Sequence, residues 1–498
     1  MNRYLRRAIR LAPIRFSTSN IPKFLQARLI LQSSGFDVEL LEAHREPYVE
    51  PYGLPKRAFL KAGLDEVVSR AGATGIVFIE DTTVSIPALG RGADYPGQAT
   101  KEWFAETTHD ELLSALNAAG GDKRVTVSSD IALYVPGLFP DFPIFSGTTR
   151  GVVADTVPEV RQNPLYPWLG RQDFSSWFVP EGAKTVLAAL ELEESLRYDF
   201  RVNSLKQLSE RLEEYASILN LPAASTRHAS MSARRNPAQL TIFPQDANDI
   251  VLVVIGSTAA GKTSLGHYLA LHRGFYHVEG STALAAAATA LGQSASDYAS
   301  MFDLADALFE MAGEDIVEAK IVAPILDEIY SPIVYTGCRT LEGLATVMRA
   351  SHELGRPFAI LNVSSRSSVR LLRAKARSRD NSQVEPLKFD ETSRRDDAYG
   401  AAVFGKLICD AHLVNHSDIT AFLNNIDQTV ATLRAGRHRE SAARRSLKSK
   451  IARAENPDGI GRILQRLGPG LVALHDNQQS LTRRGESLWA LLKRDSKR

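Results

Sequence analysis

Residues 250–270 combine an apolar strand-like run, a glycine-rich loop and a helical pattern, and this combination constrains the fold more than any other part of the chain. Gly256, Gly261, Lys262 and Thr263 have the spacing G-x-x-x-x-G-K-[ST]. Small residues let successive backbone N–H groups converge on phosphate oxygens, and the next helix directs its positive end at the same anion. The alternative is a simple turn between a buried strand and a helix. Because all four positions are filled, we predict a phosphate-binding loop.

The residue types in this loop predict how it would bind a nucleotide. The Lys262 ammonium would reach the β- and γ-phosphates, and the Thr263 hydroxyl would ligate Mg²⁺. ATP is therefore the expected phosphoryl donor, and Mg²⁺ is the expected cofactor. The loop residues predicted to contact the nucleotide are Gly256, Ser257, Gly261, Lys262, Thr263 and Ser264.

Composition places the chain among ordinary globular proteins. Its 498 residues suffice for two to three domains of about 150 residues each, and 44% are apolar while 23% are charged. The net charge of +2 does not indicate a nucleic-acid binder. Cys338 and Cys409 are far apart in sequence, which excludes a disulfide framework and a metal-type pair and fits a reducing cytoplasm.

The sequence contains no predicted membrane segment, because no apolar run approaches the roughly 18 residues that span a bilayer. The basic residues within 1–10 are interpreted as a solvated leader in preference to a transit peptide. We therefore expect a cytoplasmic protein.

The alternation of strand-like and helix-like patterns predicts a two-domain α/β chain. Residues 1–220 form the first domain, and residues 221–248 lose periodicity and predict a linker. Residues 249–434 form the second domain, whose long helical crossovers predict a parallel sheet covered on both faces. Residues 435–498 are a basic tail, partly helical, whose charge run is interpreted as a solvated face in preference to a nucleic-acid contact.

Particular elements support these boundaries. In the first domain the clearest are strands at 75–79 and 125–135 and helices at 109–119 and 205–218. In the second domain the strand candidates are 250–255, 333–336, 358–363 and 412–414.

A dense group of basic residues follows the strand candidate that ends at Val363. Its members are Arg366, Arg370, Arg373, Lys375, Arg377 and Arg379. Phosphoryl transfer is catalysed mainly by positioning and by cations around the moving group, and a mobile arginine-bearing segment would supply them on closing. A solvated basic helix is the alternative. We favour the lid and select Arg339, Arg373 and Arg377, with Lys262, as catalytic candidates.

Residues 250–433 resemble the nucleoside monophosphate kinase superfamily, which includes adenylate kinase and dephospho-coenzyme A kinase. The resemblance rests on the phosphate loop, on Thr336-Gly-Cys-Arg339, on the arginine-rich region and on residues 410–415. It implies a P-loop kinase fold, with Glu279 and Ser281 near a phosphoryl acceptor. Thr336 stands where many of these kinases have Asp, so a carboxylate expected near magnesium is missing.

The N-terminal half carries two polar segments next to predicted strands. Glu80-Asp81-Thr82 follows the strand at 75–79, and carboxylates at the carboxyl end of a strand project into the crevice where α/β proteins bind ligands. Such carboxylates often hold Mg²⁺ with substrate phosphates. Residues 17–20, Ser-Thr-Ser-Asn, with Lys23 would cradle a triphosphate. Taken singly, each segment is equally explained as a turn or cap.

Together these segments resemble the inosine triphosphate pyrophosphatase family, over residues 14–212. The matching motifs are Thr18-Ser-Asn20-Ile-Pro-Lys23, Phe59-Leu-Lys61-Ala62, Glu80-Asp81-Thr82, Ala88-Leu-Gly90, Pro96-Gly97, Trp103-Phe104, Phe145–Gly151 and Phe178–Gly182. The resemblance implies a mixed α/β fold and a homodimer. It also implies that Thr18, Asn20, Lys23, Lys61 and Arg201 bind the nucleotide. Glu80 and Asp81 are then the catalytic candidates of the first domain. Its metal ligands would be Glu46 and Asp81. In the second domain the predicted metal ligand is Thr263.

Two departures from that family alter the base pocket. Asp173-Phe-Ser-Ser176 stands in place of the family's G-[WYF]-D-P element. Ser195-Leu-Arg-Tyr-Asp-Phe-Arg201 stands in place of K-x-x-x-S-H-R, so the pocket lysine and histidine are absent while Arg201 is retained. Buried polar groups left unpaired reject the wrong base. We therefore predict a substrate other than inosine or xanthosine triphosphate.

Three functional hypotheses follow. The leading one is a bifunctional enzyme of small-molecule nucleotides, which hydrolyses a noncanonical or modified nucleoside triphosphate to monophosphate and pyrophosphate and phosphorylates a nucleoside monophosphate-like acceptor. The second is a P-loop kinase regulated by a nucleotide-sensing N-terminal domain. The third is a nucleotide-switched protein whose basic tail binds nucleic acid with a steep salt dependence. The near-neutral charge makes the third the least favoured.

Overall fold

The computed structural model divides the chain into two compact units, Met1–His228 and Ala229–Arg498. The structure describes residues 14–41, 51–71, 75–90, 94–160, 163–170, 173–218, 250–328, 331–377, 386–416, 418–435, 442–452, 464, 467, 471–475 and 478–493. The basic start of the chain and the predicted linker lie outside these residues. Among the helices that are described, none is long and apolar enough to cross a membrane.

The first unit alternates strands and helices in its described part. They are β1 (Ile14–Ser17), α1 (Ile21–Ser33), β2 (Val38–Leu41), α2 (Lys56–Ala71), β3 (Val77–Ser85), α3 (Pro87–Gly90), β4 (Pro96–Gly97), α4 (Thr100–Glu106), α5 (His109–Ala118), β5 (Arg124–Tyr134), β6 (Ile144–Val153), β7 (Phe178–Pro180), α6 (Leu192–Tyr198) and α7 (Phe200–Ile218). The strand predicted at 125–135 and the helix predicted at 109–119 agree with β5 and α5 to within one residue.

One mixed sheet organises this unit, with the strand order β2-β1-β3-β5-β6-β7 and with β4 paired to β3. β1 is parallel to β2 and β3, whereas β3, β5, β6 and β7 are antiparallel neighbours. The rings of Phe16 and Phe78 stack in the core with 4.4 Å between centroids. α7 packs closely on β6 because Gly147 lacks a Cβ, which would overlap the carbonyl oxygen of Phe200.

The third strand is longer than its apolar segment predicts. β3 continues through Glu80, Asp81 and Thr82 to Ser85 and pairs with β5 along its whole length. The acidic residues therefore lie inside the strand and not after its carboxyl end, which corrects the prediction. Thr82, Thr83 and Val84 are β-branched, and such residues suit the pleated surface of a strand, which favours the longer pairing.

The second unit begins at β8 and includes the described part of the tail. Its elements are β8 (Val251–Ile255), α8 (Lys262–Arg273), β9 (Tyr276–Glu279), α9 (Gly280–Ala290), α10 (Met301–Ala312), a π-helix (Glu318–Val322), α11 (Ala323–Glu328), β10 (Ile333–Thr336), α12 (Leu341–Glu353), β11 (Phe358–Ser364), α13 (Ser367–Arg377), α14 (Pro386–Ala398), α15 (Gly405–Ile408), β12 (Ala411–Val414), α16 (Ile419–Arg434), α17 (Ala442–Ala452), β13 (Val472–His475), β14 (Gln478–Leu481) and α18 (Arg483–Lys493).

A parallel sheet with the order β12-β11-β8-β10-β9 forms the centre of this unit, as predicted. The apolar residues of β8 are all buried. The chain runs from β8 to the edge strand β9, returns to β10 beside β8, and continues to β11 on the other side of β8. Ligands of open α/β sheets bind at the carboxyl ends of strands where the order reverses in this way. The four-residue β9 was not among the predicted strands. The overall α/β class is confirmed.

The described part of the basic tail packs into the second unit. Leu488, Leu491 and Leu492 of α18 are buried, and α18 packs on α12. Arg444 was expected on a solvated face but is completely buried, with its guanidinium 3.1 Å from a carboxylate oxygen of Asp410. A run of charges cannot show that one member has a buried partner, which is why the sequence pattern was wrong for Arg444.

Candidate functional sites

The first unit contains a cavity of about 630 Å³ between the sheet and the helices that follow β1 and β2. Residues from distant parts of the sequence line it. Of the predicted site residues, the cavity brings together Thr18, Asn20, Lys23, Glu80, Asp81 and Arg201. Lys61 is not among the lining residues, because its ammonium lies 2.8 Å from Asp65 on the same helix. Glu46 lies outside the described residues.

A buried ionic cluster lies at the centre of this cavity. The Lys23 ammonium is 2.9 Å from one carboxylate oxygen of Glu80, and Arg201 Nε is 3.4 Å from the other. Burial alone would raise the pKa of Glu80, but the two cations outweigh burial and lower that pKa to about 2. Glu80 is therefore ionised at neutral pH and holds Lys23 and Arg201 in place.

Arg201 has further partners that fix its guanidinium. It donates to the Thr82 hydroxyl at 3.1 Å and to the side-chain oxygen of Gln26 at 3.4 Å. Gln26 in turn donates to Asp199 at 2.5 Å. Burial would lower the pKa of Arg201, but the carboxylates of Glu80, Asp199 and Asp173 raise it. Sequence reasoning did not select Gln26, although a glutamine among apolar residues of a helix is a signal for a buried polar partner.

The loop after β1 presents backbone and hydroxyl groups at the start of α1. Asn20 caps this helix by accepting the Lys23 backbone N–H at 3.1 Å, and the Thr18 hydroxyl accepts the Asn20 backbone N–H at 3.1 Å. A helix N-terminus with a neighbouring lysine attracts anions. Thr18, Asn20 and Lys23 thus form an arrangement suited to phosphate groups.

Asp81 follows Glu80 on β3 and accepts a hydrogen bond from the Thr83 hydroxyl at 3.3 Å. It lines the cavity and is only half-buried. Since Glu80 is already held by two cations, Asp81 is the β3 carboxylate suited to handling a water molecule or a cation. Within the residues that the structure describes, no group of three or more His, Cys, Asp or Glu side chains forms a preformed metal cluster.

A polar and aromatic group of lining residues adjoins the ionic cluster, and we call it the aromatic wall. It consists of Asp173, Phe174, Ser175, Phe200 and Arg201. The Arg201 guanidinium lies 4.7 Å from the Phe200 ring centroid. Asp173 Oδ1 accepts the Ser175 backbone N–H at 2.9 Å and so caps the 3-10 turn that carries Phe174.

The phosphate loop of the second unit has the backbone that its glycines predict. Gly256 and Gly261 have φ values of +137° and +106°, which favour glycine. A Cβ on Gly256 would overlap the carbonyl oxygen of Val363, and one on Gly261 would overlap the side-chain nitrogen of Asn415. The loop runs directly into α8, whose N-terminus starts at Lys262.

The two predicted nucleotide ligands at the start of α8 already have protein partners. The Lys262 ammonium donates to the backbone carbonyls of Gly256 and Ser257, the latter at 3.0 Å. The Thr263 hydroxyl lies 3.2 Å from a carboxylate oxygen of Glu279 at the end of β9. A hydroxyl beside a carboxylate is a pair of oxygen ligands of the kind that Mg²⁺ prefers. Ser264 follows on the same helix.

Two arginines of the basic segment attach α13 to the phosphate loop. Arg370 donates to the Thr258 carbonyl oxygen at 3.1 Å. Arg373 donates to the Asn415 side-chain oxygen at 3.0 Å, and Asn415 donates to the Ala260 carbonyl at 2.9 Å. The α13 segment is therefore packed beside the loop and is not a fully solvated helix. Arg377 ends α13, and its side chain lies outside the described residues.

Arg339 approaches the same loop from β10. Its guanidinium stacks 4.2 Å from the Phe302 ring centroid, and its Nε lies 3.7 Å from Asp396. Asp396 also accepts the Thr258 hydroxyl at 3.0 Å. Thr336, which occupies the expected Asp position, hydrogen-bonds His277 at 2.8 Å and brings no carboxylate. Asp396 and Glu279 supply carboxylates near the loop instead.

A smaller cavity of about 190 Å³ lies beside the phosphate loop in the second unit. Its polar lining includes Lys262, Thr263, Glu279, Ser281 and Arg339, and its apolar lining includes Leu284, Met301, Ala305 and Phe309. Sequence reasoning missed the buried Glu318 in this lining, which accepts the Tyr335 hydroxyl at 2.6 Å. Burial raises the pKa of Glu318. Its place in a π-helix, a geometry frequent at functional sites, is visible only in the structure.

Comparison with known proteins identifies a family for one part of the chain. Residues 14–211 match the model of the Ham1 family. This family is inosine-triphosphatase-like, so the match confirms the resemblance predicted for the N-terminal region. No curated protein matches the chain.

Solved structures with detectable similarity include two Ham1 proteins and a kinase. A HAM1 protein from Coxiella burnetii is 19% identical over 41% of this chain and 99% of its own, with a TM-score of 0.34. The Staphylococcus aureus Ham1 protein is 19% identical over 41% of this chain and 98% of its own, at 0.32. A shikimate kinase from Acinetobacter baumannii is 15% identical over 38% of this chain and 93% of its own, at 0.25. These sequence identities and TM-scores are too low to indicate a function.

Proposed function

We propose that the first unit hydrolyses a nucleoside triphosphate to the monophosphate and pyrophosphate. The observation that carries this proposal is the buried cluster of Lys23, Glu80 and Arg201 beside Asp81, in a cavity within the region that matches the Ham1 family. The cavity combines cations for phosphate oxygens, a carboxylate for a water molecule and aromatic rings for a base. Hydrolysis at the α-phosphorus uses all three.

Each group has a distinct role in this proposal. Thr18, Asn20 and Lys23 bind the triphosphate at the start of α1, while Arg201 orients the nucleotide. Asp81 accepts a proton from the water that attacks the α-phosphorus; the bond between the α-phosphorus and the bridging oxygen breaks, and pyrophosphate leaves. Glu80, with its pKa of about 2, is too weak a base for this step and keeps the two cations in position. Lys61 acts at most at the edge of the site.

Mg²⁺ fits this site through Asp81 together with substrate phosphates, since Mg²⁺ in proteins usually has one or two carboxylate ligands and several waters. Glu46, the other proposed ligand, lies outside the described residues. When bound, Mg²⁺ would neutralise negative charge on the phosphates. The altered base pocket supports a noncanonical or modified base as the substrate.

For the second unit we propose ATP-dependent phosphorylation of a nucleoside monophosphate or a similar small acceptor. The phosphate loop at a sheet position where strand order reverses supports ATP binding, and the cavity beside Thr263 and Glu279 is suited to the acceptor. Lys262 binds the β- and γ-phosphates, while Thr263 and Glu279 provide oxygen ligands for Mg²⁺. Arg339, Arg373 and Arg377 are the proposed cations around the transferred group.

The full proposal is a cytoplasmic, bifunctional nucleotide enzyme that forms a homodimer through its first unit. The alternative is that the first unit senses a nucleotide and regulates the kinase. Two arginines of the basic tail already form ion pairs within the second unit. Arg444 is buried against Asp410, and Arg483 lies 2.7 Å from Asp315. These pairs weigh against a tail that binds nucleic acid.

The test is to incubate the full chain and Mg²⁺ with a panel of standard and modified nucleoside triphosphates and to resolve the products by chromatography. We expect monophosphate and pyrophosphate from one or a few bases. Diphosphate and orthophosphate alone would contradict the hydrolase and favour the sensor. A parallel incubation with ATP and a panel of monophosphates tests the kinase, for which ADP formation must depend on the acceptor.

A further inference from the structure

The aromatic wall of the first cavity provides information about the base. Phe174 and Phe200 are buried aromatic residues that line the cavity, so a flat base bound there would pack against an aromatic wall. Their neighbours in sequence, Asp173 and Arg201, provide the charged groups beside those rings. Asp173 and Arg201 line the same cavity. A base that stacks on these rings would therefore have its polar edge close to Asp173 and Arg201.

Three of the five N–H groups of Arg201 are directed at protein groups. Its Nε faces Glu80, and its two terminal nitrogens contact Thr82 and Gln26. These contacts fix the guanidinium and reduce the number of N–H groups that it can offer to a carbonyl oxygen of a base. Among the other polar residues of the wall, Ser175 adds only a hydroxyl and Asp173 adds a carboxylate.

Asp173 offers the opposite chemistry. Its Oδ1 caps the Ser175 N–H, and its Oδ2 has no hydrogen-bond partner in the described part of the chain. A carboxylate is a hydrogen-bond acceptor only. Asp173 is half-buried. A carbonyl oxygen of a base placed against its carboxylate would set acceptor against acceptor, whereas an amino group would donate to the carboxylate.

We infer that the first cavity selects nucleoside triphosphates whose base carries an exocyclic amino group, and that Asp173 is the specificity-determining acceptor of that group. The inference rests on the proposed hydrolase function and names its substrate class. Bases with only oxo groups at the recognised edge are disfavoured.

Matched pairs of triphosphates that differ in one amino group test this inference. The pairs are GTP with ITP, ATP with ITP, and CTP with UTP, each supplied with Mg²⁺ to the full chain. The readout is pyrophosphate, which phosphoryl transfer by the second unit does not produce. We expect the best substrate to carry an amino group and to exceed its partner at least about 10-fold in kcat/KM. An equal or faster oxo partner in every pair would overturn the inference.

The Asp173→Asn variant separates recognition from structure. Asn is also a good N-cap and keeps an oxygen for the Ser175 N–H, but it presents an NH₂ donor to the base. We expect the ratio of kcat/KM for the amino and oxo partners to fall at least about 10-fold, with pyrophosphate release from the oxo partner retained. Asp122→Asn, which changes an exposed carboxylate paired with Arg124, should leave the ratio unchanged. An unchanged ratio in Asp173→Asn would overturn the inference.

Failure of the hydrolase proposal gives a different result. If the wild-type chain releases pyrophosphate from no triphosphate, calorimetric binding of non-hydrolysable α,β-methylene analogues still tests recognition. Any binding of the analogues to the phosphate loop of the second unit would be the same in the wild type and in Asp173→Asn, so it does not affect the comparison. The inference is supported if Asp173→Asn loses affinity for the amino-base analogue but not for the oxo-base analogue. It is overturned if the substitution changes the affinities for both analogues equally.

Discussion

The two phosphate sites that we propose for this protein are constructed in opposite ways. In the second unit the proposed nucleotide ligands lie within one short segment, Gly256 to Ser264, and the backbone itself would form the site. In the first unit the groups come from the loop after β1, the start of α1, the middle of β3 and the start of α7. One site is a local motif, whereas the other exists only when the sheet is assembled.

The difference extends to charge. Glu80 neutralises Lys23 and Arg201 inside the first cavity, while Lys262 in the second site donates to loop carbonyls. We therefore expect the first site to be most sensitive to removal of a charge and the second to a change of backbone. The predictions below test this contrast in order of decreasing effect.

Replacing Glu80 by Gln should destabilise the first unit by about 3–5 kcal/mol, because it removes the carboxylate that lies between Lys23 and Arg201. Urea unfolding followed by tryptophan fluorescence measures this loss. Asp122→Asn, which breaks an exposed ion pair with Arg124, is the control and should not move the urea midpoint. Similar midpoints for the two variants would show that the cluster does not organise the cavity.

Replacing Gly261 by Ala should weaken ATP binding about 100-fold, because the residue has φ +106° and its Cβ would displace Asn415 from the loop. Gly274→Ala is a matched control, since Gly274 also has a positive φ of +71° but open space around its Cα. Calorimetric titration with ATP measures both. Equal affinities in the two variants would contradict a backbone-built site.

The two units should respond oppositely to pH. Glu80 has a pKa of about 2 against an ordinary 4.5, so its contribution to stability is present above pH 4.5 and is lost as the pH falls toward 2. In the second unit burial and the nearby Glu314 raise the pKa of Glu342 to about 7, so its contribution is present below pH 4.5 and is lost as the pH rises toward 7.

Hydrogen exchange resolved by peptide separates these two responses. Protection of β3 should fall on acidification below pH 4.5, while protection of α12 should fall between pH 4.5 and 7. Glu342→Gln should abolish the second change and leave the first. If the protection of β3 and of α12 changes in the same direction with pH over the whole range, the charge states assigned to Glu80 and Glu342 are wrong.

The smallest expected effects compare two helix caps of the first unit. Asn20 caps α1 and Thr108 caps α5, and replacing either by Ala should cost roughly 1 kcal/mol of stability. Only Asn20→Ala should also weaken binding of a triphosphate analogue, because only that cap lines the cavity. An equal loss of affinity for the analogue in both variants would show that the loop after β1 is not part of the site.

The same contrast explains what the sequence could predict. A phosphate loop could be predicted from sequence because its chemistry depends on four positions within eight residues. The boundaries of α5 and β5 were also accessible, since a capping residue and an alternating pattern are local signals. The site residues remain proposals in both units, but the loop geometry around Gly256 and Gly261 has the positive φ values that its glycines suggest.

Other features depend on contacts that no local pattern encodes. Arg201 contacts Gln26, which precedes it by 175 positions, and Gln26 contacts Asp199 across 173 positions. The apolar run before Glu80 indicated that the strand ends at Ile79, whereas antiparallel pairing with β5 carries it six residues further, to Ser85. Arg444 appeared solvated because only the fold brings Asp410 beside it.

The most direct test of two independent phosphate chemistries is a ³¹P NMR time course with the full chain, Mg²⁺, ATP, an acceptor monophosphate and the preferred triphosphate. The wild type should form both pyrophosphate and ADP. Asp81→Asn should stop pyrophosphate formation and spare ADP, and Lys262→Ala should stop ADP formation and spare pyrophosphate. Loss of both products in either variant would contradict the account and favour a sensor that regulates a single enzyme.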